Sequence, residues 1–204
     1  MPETTLVTEQ MPGAVRRRQT NRREALLEAA ARQFLASGFA ATSMRDIAAD
    51  AGMQPGSIYY HFPSKAELLI AVHEEGMRRI TEATNAALDA CRGGSAWDRL
   101  EAACAAHLTT LLEGGDFFQA VMRNVPHESD PSRDAITPMR DRYEAIFAEL
   151  LDALDLPAGT DRRDLRLMLL GSMNWSFTWY RPGRGAPADI ARRFLDFLRA
   201  GVER

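Results

Sequence analysis

The stretch "DIAADAGMQPGSIYYHFPSKAELL", residues 46–69, sets two tyrosines and a histidine side by side on a segment bounded by Gly52 and Pro63. A helix held between a glycine turn and a proline is short, so few of its side chains can be buried. Ile58 and Phe62, four residues apart, share one face and are expected to anchor it inward. Tyr59, Tyr60 and His61 are then left facing outward. Gly52 supplies the positive φ of a tight turn, and Gln54, Pro55, Gly56 and Ser57 begin the short helix with proline tolerated in its first turn.

Working outward, Leu27, Ala30, Phe34 and Leu35 recur at helical spacing and predict a helix from Thr20 to Ser37, ended by Gly38. Thr42 or Ser43 caps a second helix, with Asp46 as the acid of a capping box after Ser43 and Ile47, Ala48 and Ala51 as its small apolar face. The order is that of a helix-turn-helix unit. The major groove of a DNA duplex admits one helix, with phosphates along its rims. Tyr59, Tyr60 and His61 suit phosphates, while Gln54 and Ser57, near the helix start, suit base edges. Pro63 stops the helix, Ser64 caps the next, and Lys65 brings a positive charge to a helix end that already favours anions. Five arginines (Arg16, Arg17, Arg18, Arg22, Arg23) without an acid among them lead into this region. Residues 1–19 are expected to be a flexible arginine-rich arm.

The formal charge of −3 excludes a uniformly basic nucleic-acid wrapper, but it conceals this local cluster. Hydrophobic residues, 46% of the chain, suffice for a core. Two cysteines, no export signal and no apolar run of about 20 residues predict a soluble cytoplasmic protein that engages no membrane.

Residues 65–91, 96–113, a short segment after Gly114-Gly115, 133–154, 161–180 and 188–202 read as six further helices, with Pro138 marking a late start or a kink. There is no strand alternation, and the expected fold is all-α. Its penultimate helix, with Leu165, Leu167, Met168, Leu169, Leu170, Met173, Trp175, Phe177 and Trp179, is apolar nearly all round and needs cover on every side. One face is expected to meet a second copy, together with the stripe Ile190, Phe194, Phe197, Leu198 and Val202 of the last helix. Phe117, Phe118, Met122, Tyr143, Phe147, Met168, Met173 and Trp175 are the candidate lining of a pocket for a bulky apolar ligand.

The run "NRREALLEAAARQFLASGFAATSMRDIAADAGMQPGSIYYHFPSKAELLIAV" resembles the N-terminal domain of TetR-type transcriptional repressors. The resemblance implies a three-helix DNA-binding head at residues 20–66, a six-helix ligand-binding and dimerisation domain at residues 67–204, a homodimer through the last two helices and a palindromic operator. Carried over by position, Thr42 and Ser43 become phosphate anchors, Gln54, Pro55 and Ser57 base readers, and Tyr59, Tyr60, His61 and Lys65 backbone clamps. Gln54-Pro55 departs from the small or basic residues frequent at these positions, so no relative's operator sequence can be carried over. The segment "LLGSMNWSFTWYRPGRGAPADIARRFLDFLRAGV" resembles the TetR-type subgroup that answers to acyl-CoA thioesters. That resemblance makes Arg123, Arg140, Arg162, Arg163 and Arg166 candidates for CoA phosphates. A ligand among the central helices would then move the helix starting near Lys65 and tilt the head. Another hydrophobic effector, or none, stays open.

An enzyme would need converging reactive groups. The sequence has no H-E-x-x-H, P-loop or G-x-S-x-G pattern and no cysteines at metal spacing, so neither catalytic residues nor a metal or cofactor is expected. His73, beside Glu74 and Glu75, reads as part of a solvated face, and His107 as a satisfied interior residue.

Overall fold

The computed structural model describes residues 12–124 and 131–202, with side chains from Asn21 onward except Arg123. Among the described residues the chain is all-α. The helices are α1 (Pro12–Ala41), α2 (Met44–Asp50), α3 (Ile58–His61), α4 (Lys65–Ala90), α5 (Ala96–Glu113), α6 (Asp116–Arg123), α7 (Arg133–Asp152), α8 (Arg162–Trp175) and α9 (Pro187–Val202). Two 3-10 turns, Pro55–Ser57 and Ser176–Thr178, precede α3 and follow α8.

Local rules account for most of the helix ends. Ser43 and Asp46 form the expected capping box at α2, with the Asp46 amide 3.2 Å from Ser43 Oγ and the Ser43 amide 3.1 Å from the Asp46 carboxylate. Gly52 takes the left-handed φ of 66° that its turn requires. The α1 backbone starts at Pro12, ahead of the expected Thr20, so Arg16, Arg17 and Arg18 fall within it; their side chains, like residues 1–11, lie outside the described residues. Gly38, with φ 79°, interrupts α1, and one more turn follows before Ala41. Pro138 sits inside α7, and α8 gives way to its 3-10 turn at Ser176, short of the expected Tyr180.

The helix α4 decides the architecture. It is 26 residues long, about 39 Å at the helical rise, and packs on α1, α5, α6 and α7. Its buried stripe Leu69, Val72, Gly76, Ile80 and Thr84 steps at three or four residues, with Leu68 beside it. A Cβ on Gly76 would stand 2.9 Å from Val121 Cγ2, so α6 lies this close to α4 only because position 76 is glycine. A single apolar core extends from Leu26, Phe34, Ile47 and Ile58 through Leu68 and Leu108 to Phe147 and Leu198. The helix-turn-helix unit is therefore packed on the rest of the chain and shares its core.

Candidate nucleic-acid interface and ligand cavity

The short helix α3 is built as its sequence suggests. Ile58 and Phe62 are buried, and Tyr59 and Tyr60 project from the other side, Tyr60 to 77% exposure. Tyr60 meets His61 edge-on, with ring centroids 5.4 Å apart. Gln54 and Pro55 are exposed at the start of the 3-10 turn. The Ser57 hydroxyl donates to the Gln54 carbonyl at 2.7 Å, so it presents lone pairs outward. Burial lowers the His61 pKa first, and the charges of Arg22 and Arg23 lower it further. Those two arginines therefore stand near α3, and Arg23 lies over the Phe62 ring at 5.2 Å. The sequence offered them only as part of a run; the fold brings them to the reading helix. This surface combines cationic, aromatic and amide groups.

Two expected phosphate contacts are placed elsewhere. Lys65 Nζ donates to the carbonyls of Phe39 at 2.7 Å, Ala40 at 3.3 Å and Thr42 at 2.8 Å, and sits 4.5 Å from the Phe39 ring centroid. All three of its donors are engaged, and the ammonium closes the end of α1 onto the start of α4. Thr42 is buried, and its hydroxyl is directed at the carbonyls of Gln33 and Gly38, at 3.1 and 2.8 Å. In this arrangement the polar tips of both residues are engaged by carbonyls of the head. Ser43 remains exposed.

The body holds a partly open cavity of about 60 Å³ lined by residues of α4, α5, α6, α7 and α8. Three of the expected lining residues, Phe118, Met122 and Tyr143, form part of its wall. Phe117, Phe147 and Met173 are buried but outside the wall, Phe117 beneath Arg79 at 4.3 Å and Phe147 edge-on to His107 and Tyr143. Met168 and Trp175 are corrected outright, since they are 52% and 65% exposed on the outer side of α8.

Apart from Arg140, the charged and amide part of the wall was not expected from the sequence. His73, His107, Arg140, Glu144 and Asn174 all line the cavity. His107 Nδ1 is 2.9 Å from the Tyr143 hydroxyl, His107 Nε2 is 3.1 Å from Asn174 Oδ1, and Thr84 Oγ1 is 3.1 Å from the same Tyr143 oxygen. Burial pushes the His107 pKa down to about 4 and raises that of Tyr143, so both are neutral. With Asn174 Oδ1 accepting from Nε2, the Tyr143 hydroxyl donates to Nδ1 and accepts from Thr84. His107 is thus the satisfied interior residue expected. His73 is not on a solvated face: it is buried, its Nε2 is 3.2 Å from the Asn124 carbonyl, and burial takes its pKa down to about 4.

Of the arginines considered for CoA phosphates, Arg140 lines the cavity and makes no ion pair among the described residues. Arg162 is occupied, donating to the Leu151 and Leu154 carbonyls at the end of α7. The Arg123 side chain is outside the described residues.

Cavity and head meet at Asn124, which ends α6. Its backbone carbonyl accepts from His73, its Oδ1 accepts from the Phe39 amide at 3.1 Å, and its Nδ2 donates to the Ala120 carbonyl at 2.8 Å and the Phe34 carbonyl at 3.4 Å. Phe39 in turn offers its carbonyl to Lys65. Through these bonds His73 of the cavity wall is two steps from Phe39, near the end of α1, and three from Lys65 at the start of α4.

Comparison with known proteins agrees with this geometry. The "HTH-type transcriptional repressor KstR2" of Rhodococcus jostii (strain RHA1) is 27% identical over 199 residues, covering 90% of this chain and 92% of the relative. The structure of the TetR family transcriptional regulator PfmR from Thermus thermophilus matches with a TM-score of 0.74 at 26% identity, over 88% of this chain and 99% of that one. AibR, solved in complex with isovaleryl coenzyme A and operator DNA, shares the fold at a TM-score of 0.76 and 24% identity, over 86% and 97% of the two chains. No helix among the described residues is long and apolar enough to cross a membrane. A family model described as "Bacterial regulatory proteins, tetR family" matches residues 26–72, and one described as "Tetracyclin repressor-like, C-terminal domain" matches residues 93–202. The chain belongs to the TetR family of DNA-binding transcriptional regulators.

Proposed function

We propose that the chain acts in the cytoplasm as a homodimeric repressor, bound to a palindromic operator through residues 20–66 and released when a bulky apolar ligand, an acyl-CoA thioester, enters the body formed by residues 67–204. The observation that carries this reading is the Asn124 joint, which ties a cavity residue to the backbone of the head. A cavity of about 60 Å³ is far below the roughly 300–1,000 Å³ of sites that hold such ligands, so entry must part the helices around it. The long helix α4 is a cavity wall at His73, Gly76, Met77 and Ile80 and a strut of the head at Lys65. Parting the wall would therefore tilt the head.

On the DNA side, Gln54, Pro55 and Ser57 take the base edges, and Ser43, Tyr59, Tyr60 and His61 the phosphates, with Arg16, Arg17 and Arg18 adding charge from the first helix. Exposed Leu167, Met168, Trp175, Trp179 and Phe197 supply an apolar surface on α8 and α9 and the turn between them, which supports dimerisation there. A two-fold dimer sets two reading helices about 34 Å apart, one turn of DNA. The thioester class is supported by the likeness to KstR2 and AibR and by Arg140, a cation at the cavity.

Selection of bound fragments from a genomic duplex library, followed by titration of the selected site with acyl-CoA thioesters, tests this. A palindromic consensus whose affinity falls by roughly 5- to 150-fold at saturating thioester is the expected result, the span of ordinary allosteric couplings. Unchanged affinity at saturation rejects release by that ligand class, and the absence of a consensus rejects the operator reading.

A further inference from the structure

Two imidazoles line the cavity, and they differ in one respect. His107 is hydrogen-bonded at both ring nitrogens. His73 is bonded at Nε2 only, and its buried Nδ1 has no partner. A carbonyl oxygen can only accept, so the proton resides on Nε2 and is donated to Asn124. The ring, 1% exposed and held neutral by burial with its pKa at about 4, therefore keeps an unpaired, buried lone pair on Nδ1. The apolar residues that share the wall, among them Met77, Phe118, Val121 and Met122, have no polar hydrogen to donate. Arg140, whose charge further disfavours a proton on the ring, makes no hydrogen bond to it. Among the described residues the other buried side-chain atom without a partner is Arg166 Nε, which is not part of the cavity wall.

An unpaired buried acceptor discriminates between ligands. A molecule that brings a donor satisfies it, and the analogue without the donor leaves it bare in a site that water has left. We infer that His73 Nδ1 is the specificity-determining acceptor of this cavity and that the effector is a hydroxylated apolar molecule whose hydroxyl donates to it. This rests on the cavity being the effector site, and it holds whether or not the effector carries coenzyme A. Because Nε2 of the same ring donates to Asn124, the hydroxyl would engage the residue that holds Asn124, and Asn124 in turn grips the head.

The test uses the full-length protein and matched pairs of ligands of equal chain length, with and without a hydroxyl at C3 or at the chain end, once as CoA thioesters and once as free acids. In the unaltered protein the hydroxylated member of at least one pair should bind 10-fold or more tighter. In His73→Phe, which keeps an aromatic ring at the position and removes both nitrogens, the ratio within that pair should fall below about twofold. Should that variant fail to fold, ¹⁵N-histidine spectra of the unaltered protein give an independent reading: the Nδ1 resonance of His73 should move on adding the hydroxylated ligand and stay in place with its partner. A His73-dependent preference confined to the free acids supports the inference and rejects the thioester. The same preference without any change in operator affinity supports it and rejects release. Equal affinities within every pair, a preference that survives His73→Phe, an unmoved Nδ1 resonance, or binding by neither series overturns it.

Discussion

The reading helix and the cavity wall use the same side chains to opposite ends. Tyr60 on α3 is 77% exposed, whereas Tyr143 on α7 is 5% exposed, its hydroxyl held between Thr84 and His107. The ring is the same; the number of elements that close over it differs. A four-residue helix has one side to bury, and Ile58 and Phe62 take it. The middle of α7 is covered by α4, α5 and α8 together, so a polar tip there must find a partner inside the protein. Exposed tips are available to a ligand as large as a duplex, while enclosed ones set the shape and chemistry of a small site.

This contrast can be broken in graded ways. The largest effect should come from Phe147→Ala, which empties the fully buried position against His107 and Tyr143 and should cost about 3–5 kcal/mol in denaturant unfolding. A loss below about 1 kcal/mol would mean that the body is not tightly packed around the cavity.

Acid comes next. His73 and His107 are depressed to about 4 in the folded protein, while an unfolded chain protonates them near their ordinary value of about 6.5. Between those values the unfolded state binds the extra protons. Stability should thus be full above about pH 6.5 and fall as pH drops to about 4, by up to about 3 kcal/mol per ring. Unfolding curves across that window check it, and His107→Gln should remove about half of the slope.

Lys65→Met separates the two roles considered for that residue. Removal of three charged hydrogen bonds to carbonyls should cost about 1.5–3 kcal/mol of stability. The dependence of operator affinity on salt should stay as it was, because no phosphate contact is lost; a salt slope smaller by about one would restore the phosphate role. Asn124→Ala should cost on the order of 1 kcal/mol in stability and uncouple the domains, so that ligand still binds but shifts operator affinity less. Full coupling in that variant would move the path elsewhere along α4. The smallest change in stability, within about 0.5 kcal/mol, belongs to Tyr60→Ala, which should nevertheless weaken binding to all operators alike.

The parts of the molecule that were legible in advance are those where cause and effect lie within a few residues. The Ser43–Asp46 box, the turn at Gly52 and the inward pair Ile58 and Phe62 each follow from neighbours on one helix or turn. The partners of Lys65 were not legible, because a lysine in a first helical turn has the same local signature whether it meets solvent or the carbonyls of a helix end about 25 residues away. Met168 and Trp175 misled for a related reason: an all-apolar helix does not say which side turns to its own core. His73 was masked by acidic neighbours in sequence that point away from it, and Asn124 carried no signal until the end of α1 was set beside it.

By itself the sequence determined an all-α chain, a helix-turn-helix head with an outward aromatic edge, and membership of a regulator family, because periodicity, caps and turns act over short spans. Only the tertiary structure decided that two histidines share a small cavity, that one of them is left with a bare nitrogen, and that Asn124 joins this cavity to the head. Those depend on residues 36 to 85 positions apart, brought together by the packing of α4 against its neighbours, and no local pattern encodes which distant groups a folded chain will place within hydrogen-bonding reach.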